Sequence, residues 1–254
     1  EEGAAGHREI LTYGEAMSPT LTDEESILVE TVRQFIDREV RPAVRDVEHA
    51  NTYPQAWIEQ MKQLGIYGLA VPEEYGGTPV SMPCYVLVTQ ELARGWMSLA
   101  GAMGGHTVVA KLLGLFGTQE QKRRYLPAMA TGELRATMAL TEPGGGSDLQ
   151  NMTTTAAPFP ADPDLLVING SKTWISTARR SGLIALLAKS EPPPPPRHRG
   201  ISVVLVDNPS AGLSISRDLP KLGYKGVESC ELSFADCRIP AAAVLGGVPG
   251  HGFA

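Results

Sequence analysis

The chain has few of the residues that mark a metal or redox centre. Its three cysteines, Cys84, Cys230 and Cys237, show no C-x-x-C spacing. That leaves no written zinc or dithiol site, and reduced structural thiols are expected. None of the five histidines belongs to an H-E-x-x-H frame, and His106 lies in an apolar stretch as a packed residue; no metal site is expected. Basic charge is not in excess, since 22 Lys+Arg against 28 Asp+Glu give a formal net charge of -6. A broad nucleic-acid-binding surface is thereby excluded. Long apolar runs are missing too: "GLIALLA", residues 182–188, is far short of the roughly 20 residues of a membrane span. The start, Glu1-Glu2, carries no basic segment followed by an apolar one. The expectation is a cytoplasmic protein without a membrane span.

What is present divides by period. Thr22 and Glu25 form a capping box, after which Leu28, Val32, Phe35, Ile36 and Val40 share one helical face until Pro42. "PQAWIEQMKQLG" spaces Trp57, Met61 and Leu64 as a helix ending near Gly65. "LAVPEEYGG" reads as a loop. The apolar, small-rich stretch 83–115 predicts two buried helices joined near Trp96–Ser98, and Thr118/Gln121 caps another. After Thr137 the period shortens to two. Asn169-Gly170, between two β-prone runs, predicts a hairpin turn. "SGLIALLAKS" and "GISVVLVD" predict buried strands, and "SCELSFADCRIP" points Leu232 and Phe234 inward against Ser233 and Ala235. Helices followed by strands predict an α+β chain of two domains. "EPPPPPRHRG", residues 191–200, is an exposed polyproline excursion, or less favourably a P-x-x-P ligand.

Between the halves stands "MALTEPGGGSD", residues 138–148. Glycines let backbone N–H groups approach an anion. A P-loop needs a lysine where Ser147 is followed by Asp148, and a dinucleotide fingerprint finds only two of its three glycines. From the residues alone the loop could equally be a surface turn.

This segment resembles the T-E-P-x-x-G-S-D signature of the acyl-CoA dehydrogenase family. "VPEEYGG", "QELAR", "FGTQEQKRRYLPAMATGEL", "INGSKTWIS", "LGYKGVESCELSFADCRIP" and "LGGVPGHGF" agree in order and spacing, covering about Leu21 to Phe253. The resemblance implies an N-terminal extension (1–20), a helical N-terminal domain (21–136), a β-barrel-like middle domain binding FAD (137–245) and, at 246–254, the start of a C-terminal helical domain. It implies that Met138, Leu140 and Thr141 line the flavin ring, that Gly146 and Ser147 bind the pyrophosphate, that Trp174 packs on the ring and that Ser176 supplies a hydroxyl near N5. Met138 stands where many members carry an aromatic residue, and Ser176 replaces a common threonine. Without the resemblance, Met138 and Leu140 read as strand core, Trp174 as a hairpin aromatic and Asp148 as a turn residue.

The implied reaction is α,β-dehydrogenation of an acyl-CoA to the trans-2-enoyl-CoA, with electrons passed to an electron-transfer flavoprotein. The resemblance further implies a homo-oligomer, tetramer or dimer. Helices 83–115 would line the acyl pocket. The family's catalytic base is a glutamate of the C-terminal helical domain, so no catalytic residue is assigned here, and Glu142 beside Pro143 is read as structural. Dicarboxylyl specialists carry an arginine near Ala100, which points away from a glutaryl-type substrate. An acyl-CoA oxidase of the same fold and a non-catalytic acyl-CoA-binding subunit are the alternatives.

Overall fold

The computed structural model describes residues 21–190 and 198–253. The extension 1–20 and most of the polyproline segment lie outside the described residues.

Among the described residues six α-helices come first, and side-chain caps from Thr22, Ser81 and Thr118 start three of them. α1 (Asp23–Phe35) opens on the Thr22/Glu25 box, with Val29, Val32 and Phe35 buried. It widens into a π turn over Ile36–Val40, where Arg41 N–H donates to Ile36 O at 3.0 Å, before Pro42 stops it. α2 (Val44–His49) and α3 (Gln55–Gln63) follow, the latter closed by Gly65 at φ +71°. α4 (Met82–Gly95) and α5 (Met97–Phe116) are separated by Trp96 in extended conformation. α5 has 20 residues and is long and apolar enough to cross a membrane by length and composition. Here it packs against α4, α6 and the first strand, burying Leu99, Met103, Val109 and Leu113.

α6 (Gln119–Ala130) starts on the expected Thr118/Gln121 box. The Gln121 amide has a second role. Its nitrogen donates to Ala242 O at 2.9 Å and Val244 O at 2.8 Å, and its oxygen accepts from Thr118 N–H and Gly246 N–H.

The strands are β1 (Ala136–Ala139), β2 (Thr155–Phe159), β3 (Asp162–Ser176), β4 (Leu183–Lys189), β5 (Ile201–Asp207), β6 (Leu213–Ile215) and β7 (Ser229–Pro240). They form one mixed sheet in the order β1-β4-β2-β3-β7-β6, with β5 also on β4. β4 and β5 are buried on both faces, as their continuous apolar runs predict. Ile184, Leu186 and Val204 enter the core inside the curled sheet, while Leu183, Ala185 and Val203 share a core with Val109, Leu113 and Leu126 of the helices. β7 alternates as expected, with Leu232 and Phe234 buried and Ser233 and Ala235 exposed.

The hairpin expectation is corrected. Asn169-Gly170 lies inside β3; the β2–β3 turn is at Phe159–Asp162. Asn169 uses its amide across the sheet, donating to Asp236 Oδ1 at 3.1 Å and accepting from Asp236 N–H at 2.9 Å. Gly170, at φ +144°, carries the bulge where the β3–β7 register shifts. Side-chain pairing with a distant strand therefore overrides the local turn preference.

Candidate functional site

The edge strand β1 ladders only with β4. Its continuation, residues 140–142, runs beside the end of β3: Thr173 N–H donates to Thr141 O at 2.9 Å, and Thr137 Oγ1 donates to Ser176 O at 2.7 Å. Met138, Leu140 and Thr141 are thus brought beside Trp174 and Ser176. Met138, Leu140, Thr141 and Ser176 are half-buried. Trp174 is 55% exposed and sits at φ +59°, a left-handed conformation that a bulky residue adopts at a cost. A register shift between Lys172 and Ile175 turns it off the sheet, so it is a bulge residue rather than a hairpin aromatic.

The glycine loop leaves β1 through a tight turn, Glu142 and Gly145 exchanging two backbone hydrogen bonds of 3.0 Å. Neither Gly144, Gly145 nor Gly146 has a positive φ. A Cβ on Gly144 or Gly145 would meet nothing within 4 Å, and one on Gly146 would reach Thr141 Cγ2 at 3.5 Å. Backbone geometry does not demand these glycines; Gly144 and Gly145 open onto a cavity, whereas Gly146, Ser147, Trp174 and Ser176 lie outside its lining. That cavity, of about 450 Å³, is lined among others by Leu140, Pro143, Gly144, Asp148 and Met152. Ser147 is exposed on the loop, and Asp148 Oδ2 accepts from Asn151 as a turn residue. The volume is that of a small-ligand site, and Glu142 and Asp148 are part of its lining.

Behind the loop lies a buried ion pair that sequence reasoning missed. Lys172, fully buried, donates to Glu142 Oε1 at 3.0 Å and to Leu140 O at 2.9 Å. Glu142 also accepts from Thr153 N–H at 2.6 Å, Thr153 Oγ1 at 2.7 Å and Thr154 N–H at 2.9 Å. Burial alone would raise the Glu142 carboxyl, but the hydrogen bonds from Thr154 and Thr153 override it and hold its pKa down to about 2. Burial pushes the Lys172 ammonium below its ordinary value, and Glu142 opposes that. With its oxygens occupied and its charge fixed, Glu142 anchors the loop, as its place beside Pro143 suggested. The strand period gives no sign of Lys172, because the bulge breaks the alternation that would place it.

The sign of the acid response follows. A carboxyl near 2 in the fold and at 4.5 when free binds protons more readily in the unfolded chain, so its contribution is complete above about pH 4.5 and is lost as pH falls towards 2. Chemical denaturation between pH 5 and 2 should show stability falling on acidification (about pH 4.5 down), with a shallower slope in Glu142→Gln. An equal slope in the variant would show that Glu142 is not the group responsible.

Among the described residues no group of three or more His, Cys, Asp or Glu converges on a metal site, and Cys84, Cys230 and Cys237 are buried free thiols.

The family description "Acyl-CoA dehydrogenase, N-terminal domain" matches residues 22–133, and "Acyl-CoA dehydrogenase, middle domain" matches residues 137–237. The chain is 33% identical over 237 residues to the acryloyl-CoA reductase (NADH) of Anaerotignum propionicum, covering 93% of this chain and 59% of that protein. It is 36% identical over 235 residues to the mitochondrial short/branched chain specific acyl-CoA dehydrogenase of Rattus norvegicus, covering 92% and 53%. The crystal structure of an acyl-CoA dehydrogenase complexed with FAD from Bacillus anthracis superposes with a TM-score of 0.82 at 30% identity, covering 93% of this chain and 40% of that one. The chain thus spans a little over half the length of these curated relatives.

Proposed function

Because the chain belongs to the acyl-CoA dehydrogenase family, we propose that it binds FAD in the cradle formed by β1, the glycine loop and the end of β3, and that the protein dehydrogenates an acyl-CoA thioester to its trans-2-enoyl form. The observation that carries this reading is the pair of bonds, Thr173 N–H to Thr141 O and Thr137 Oγ1 to Ser176 O, that sets the strand edge at 138–141 beside an exposed tryptophan held in a left-handed conformation, with the glycine loop following directly in the chain. Met138 and Leu140 offer an apolar flank, and the strand edge offers backbone groups to a flavin's pyrimidine side. Gly146 and Ser147 would hold the pyrophosphate by N–H and hydroxyl, without a lysine. Trp174 would cover one ring face, and Ser176 would place its hydroxyl near N5.

Bound there, FAD would supply the two-electron, hydride-accepting chemistry that the dehydrogenation requires. The chain's own residues bind, orient and exclude water. α4 and α5 would wall the acyl group, and Gly104, with nothing within 4 Å of its Cβ position, leaves room along α5. Glu142 is not the base, since all its bonding capacity is spent on the loop. An electron-transfer flavoprotein is the proposed electron acceptor.

The test is reconstitution. The full-length protein, base-bearing helical domain included, should bind FAD, and an acyl-CoA added without oxygen should bleach the flavin's long-wavelength band. Trp174→Ala should weaken FAD affinity by about tenfold with the fold unchanged, because the indole is more than half exposed. Unaltered affinity would remove Trp174 from the site, and an unbleached flavin with acyl-CoAs of every length would refute the dehydrogenase reading.

A further inference from the structure

The segment joining β6 to β7 reaches across to the helices and is docked there at two points. Glu48 Oε2 accepts from both Trp96 Nε1 at 2.7 Å and Lys225 N–H at 3.2 Å. Gly226 passes the Trp96 indole so closely that a Cβ would lie 1.8 Å from the ring. From this platform Tyr224, at φ +61°, sends its ring onto α5. A Cβ on Gly101 would stand 1.7 Å from the Tyr224 hydroxyl and 2.4 Å from Cζ, so the helix is bare where the phenol rests. One turn further along, the Cβ position of Gly104 faces open space. This face of α5 is therefore filled at Gly101 and free at Gly104. The Tyr224 hydroxyl also lies within interaction range of the Ser176 side chain, which opposes the upward push of burial on the phenol.

We propose that Tyr224 is a specificity-determining residue: its phenol is the fixed end wall of the acyl site beside Ser176, and it restricts the protein to short acyl-CoA thioesters. This rests on the flavin reading above, in which Ser176 marks the reacting edge. The wall is rigid because Glu48, Trp96 and Gly226 hold the segment that carries it. Its position is strained, since a left-handed tyrosine costs free energy that an ordinary linker would avoid. A ring has the bulk of several methylenes, so removing it opens room for a longer chain against α5. Phenylalanine keeps the wall and loses only the hydroxyl.

The experiment uses the FAD-loaded protein at its full natural length, base-bearing helical domain included, as wild type, Tyr224→Ala, Tyr224→Leu and Tyr224→Phe. Calorimetry measures affinities for butyl-CoA and octyl-CoA thioethers, which lack the carbonyl that acidifies the α position and so bind without being oxidised. In parallel, anaerobic bleaching by butyryl-CoA is recorded. The octyl-to-butyl affinity ratio should rise about tenfold or more in the Ala variant and in the same direction in the Leu variant, which keeps apolar packing, while Phe stays near wild type. An unchanged ratio in both Ala and Leu, with the wild-type flavin still bleached by butyryl-CoA, overturns the wall and leaves the flavin reading standing. A wild-type flavin that neither butyryl-CoA nor octanoyl-CoA bleaches overturns that reading, and the wall with it.

Discussion

Replacing Lys172 by methionine is expected to cost the protein about 3–5 kcal/mol of stability, the range for removing one member of a buried ion pair. Methionine is close to lysine in length, so the loss is not one of volume. Glu142 would keep its donors from Thr153 and Thr154 but face a buried, uncompensated charge, and Leu140 O would lose its 2.9 Å partner. Arginine should not rescue the site, because the ammonium is fully buried and a guanidinium has no room to enter. Because the pair stands directly behind the glycine loop, FAD affinity should fall together with stability. Denaturant titration measures the first quantity and flavin titration the second. A change below about 1 kcal/mol would mean that the pair behaves as a solvated one and does not hold the loop.

Gly170→Ala should be nearly as severe, at about 2–4 kcal/mol. At φ +144° a side chain is strained whatever the space, and here there is none: the new Cβ would lie 2.6 Å from both Cα and Oγ1 of Thr154. Thr154 is buried and gives its N–H to Glu142, so the displacement would reach the ion pair. The two substitutions share this contact and should not add. A double variant should be less destabilised than the sum of the two single variants by about 0.5–3 kcal/mol. Strict additivity in denaturation midpoints would separate the two sites.

The sequence was legible where its physics is local. The Thr22/Glu25 and Thr118/Gln121 boxes each satisfy helix N–H groups within three residues, and both form as read. The alternation of β7 was likewise visible, because one strand face is buried along its length. Asn169-Gly170 misled because its outcome is decided by Asp236, 67 residues away. Lys172 was invisible for the same kind of reason: a lysine in a strand reads as exposed, and only the folded loop supplies its carboxylate. Tyr224 has no local signature either, since its meaning lies in a glycine on α5. The residues of the proposed flavin cradle stood out through their likeness to a known family. Their backbone geometry, above all the bulge that turns Trp174 outward, was not written in any period.

The four hydrogen bonds of Gln121 bear on how the chain comes to order during synthesis. α6 can begin as soon as Thr118 and Gln121 have emerged, because its cap is local. The carbonyls of Ala242 and Val244 and the N–H of Gly246 need that same amide, made 121–125 residues earlier. A ribosome-bound chain shorter than this would present Gln121 to water with three of its four amide bonds unmade. Residues 242–246 are thus received by a socket already waiting on the helical side, one side chain of α6 holding the segment that follows β7.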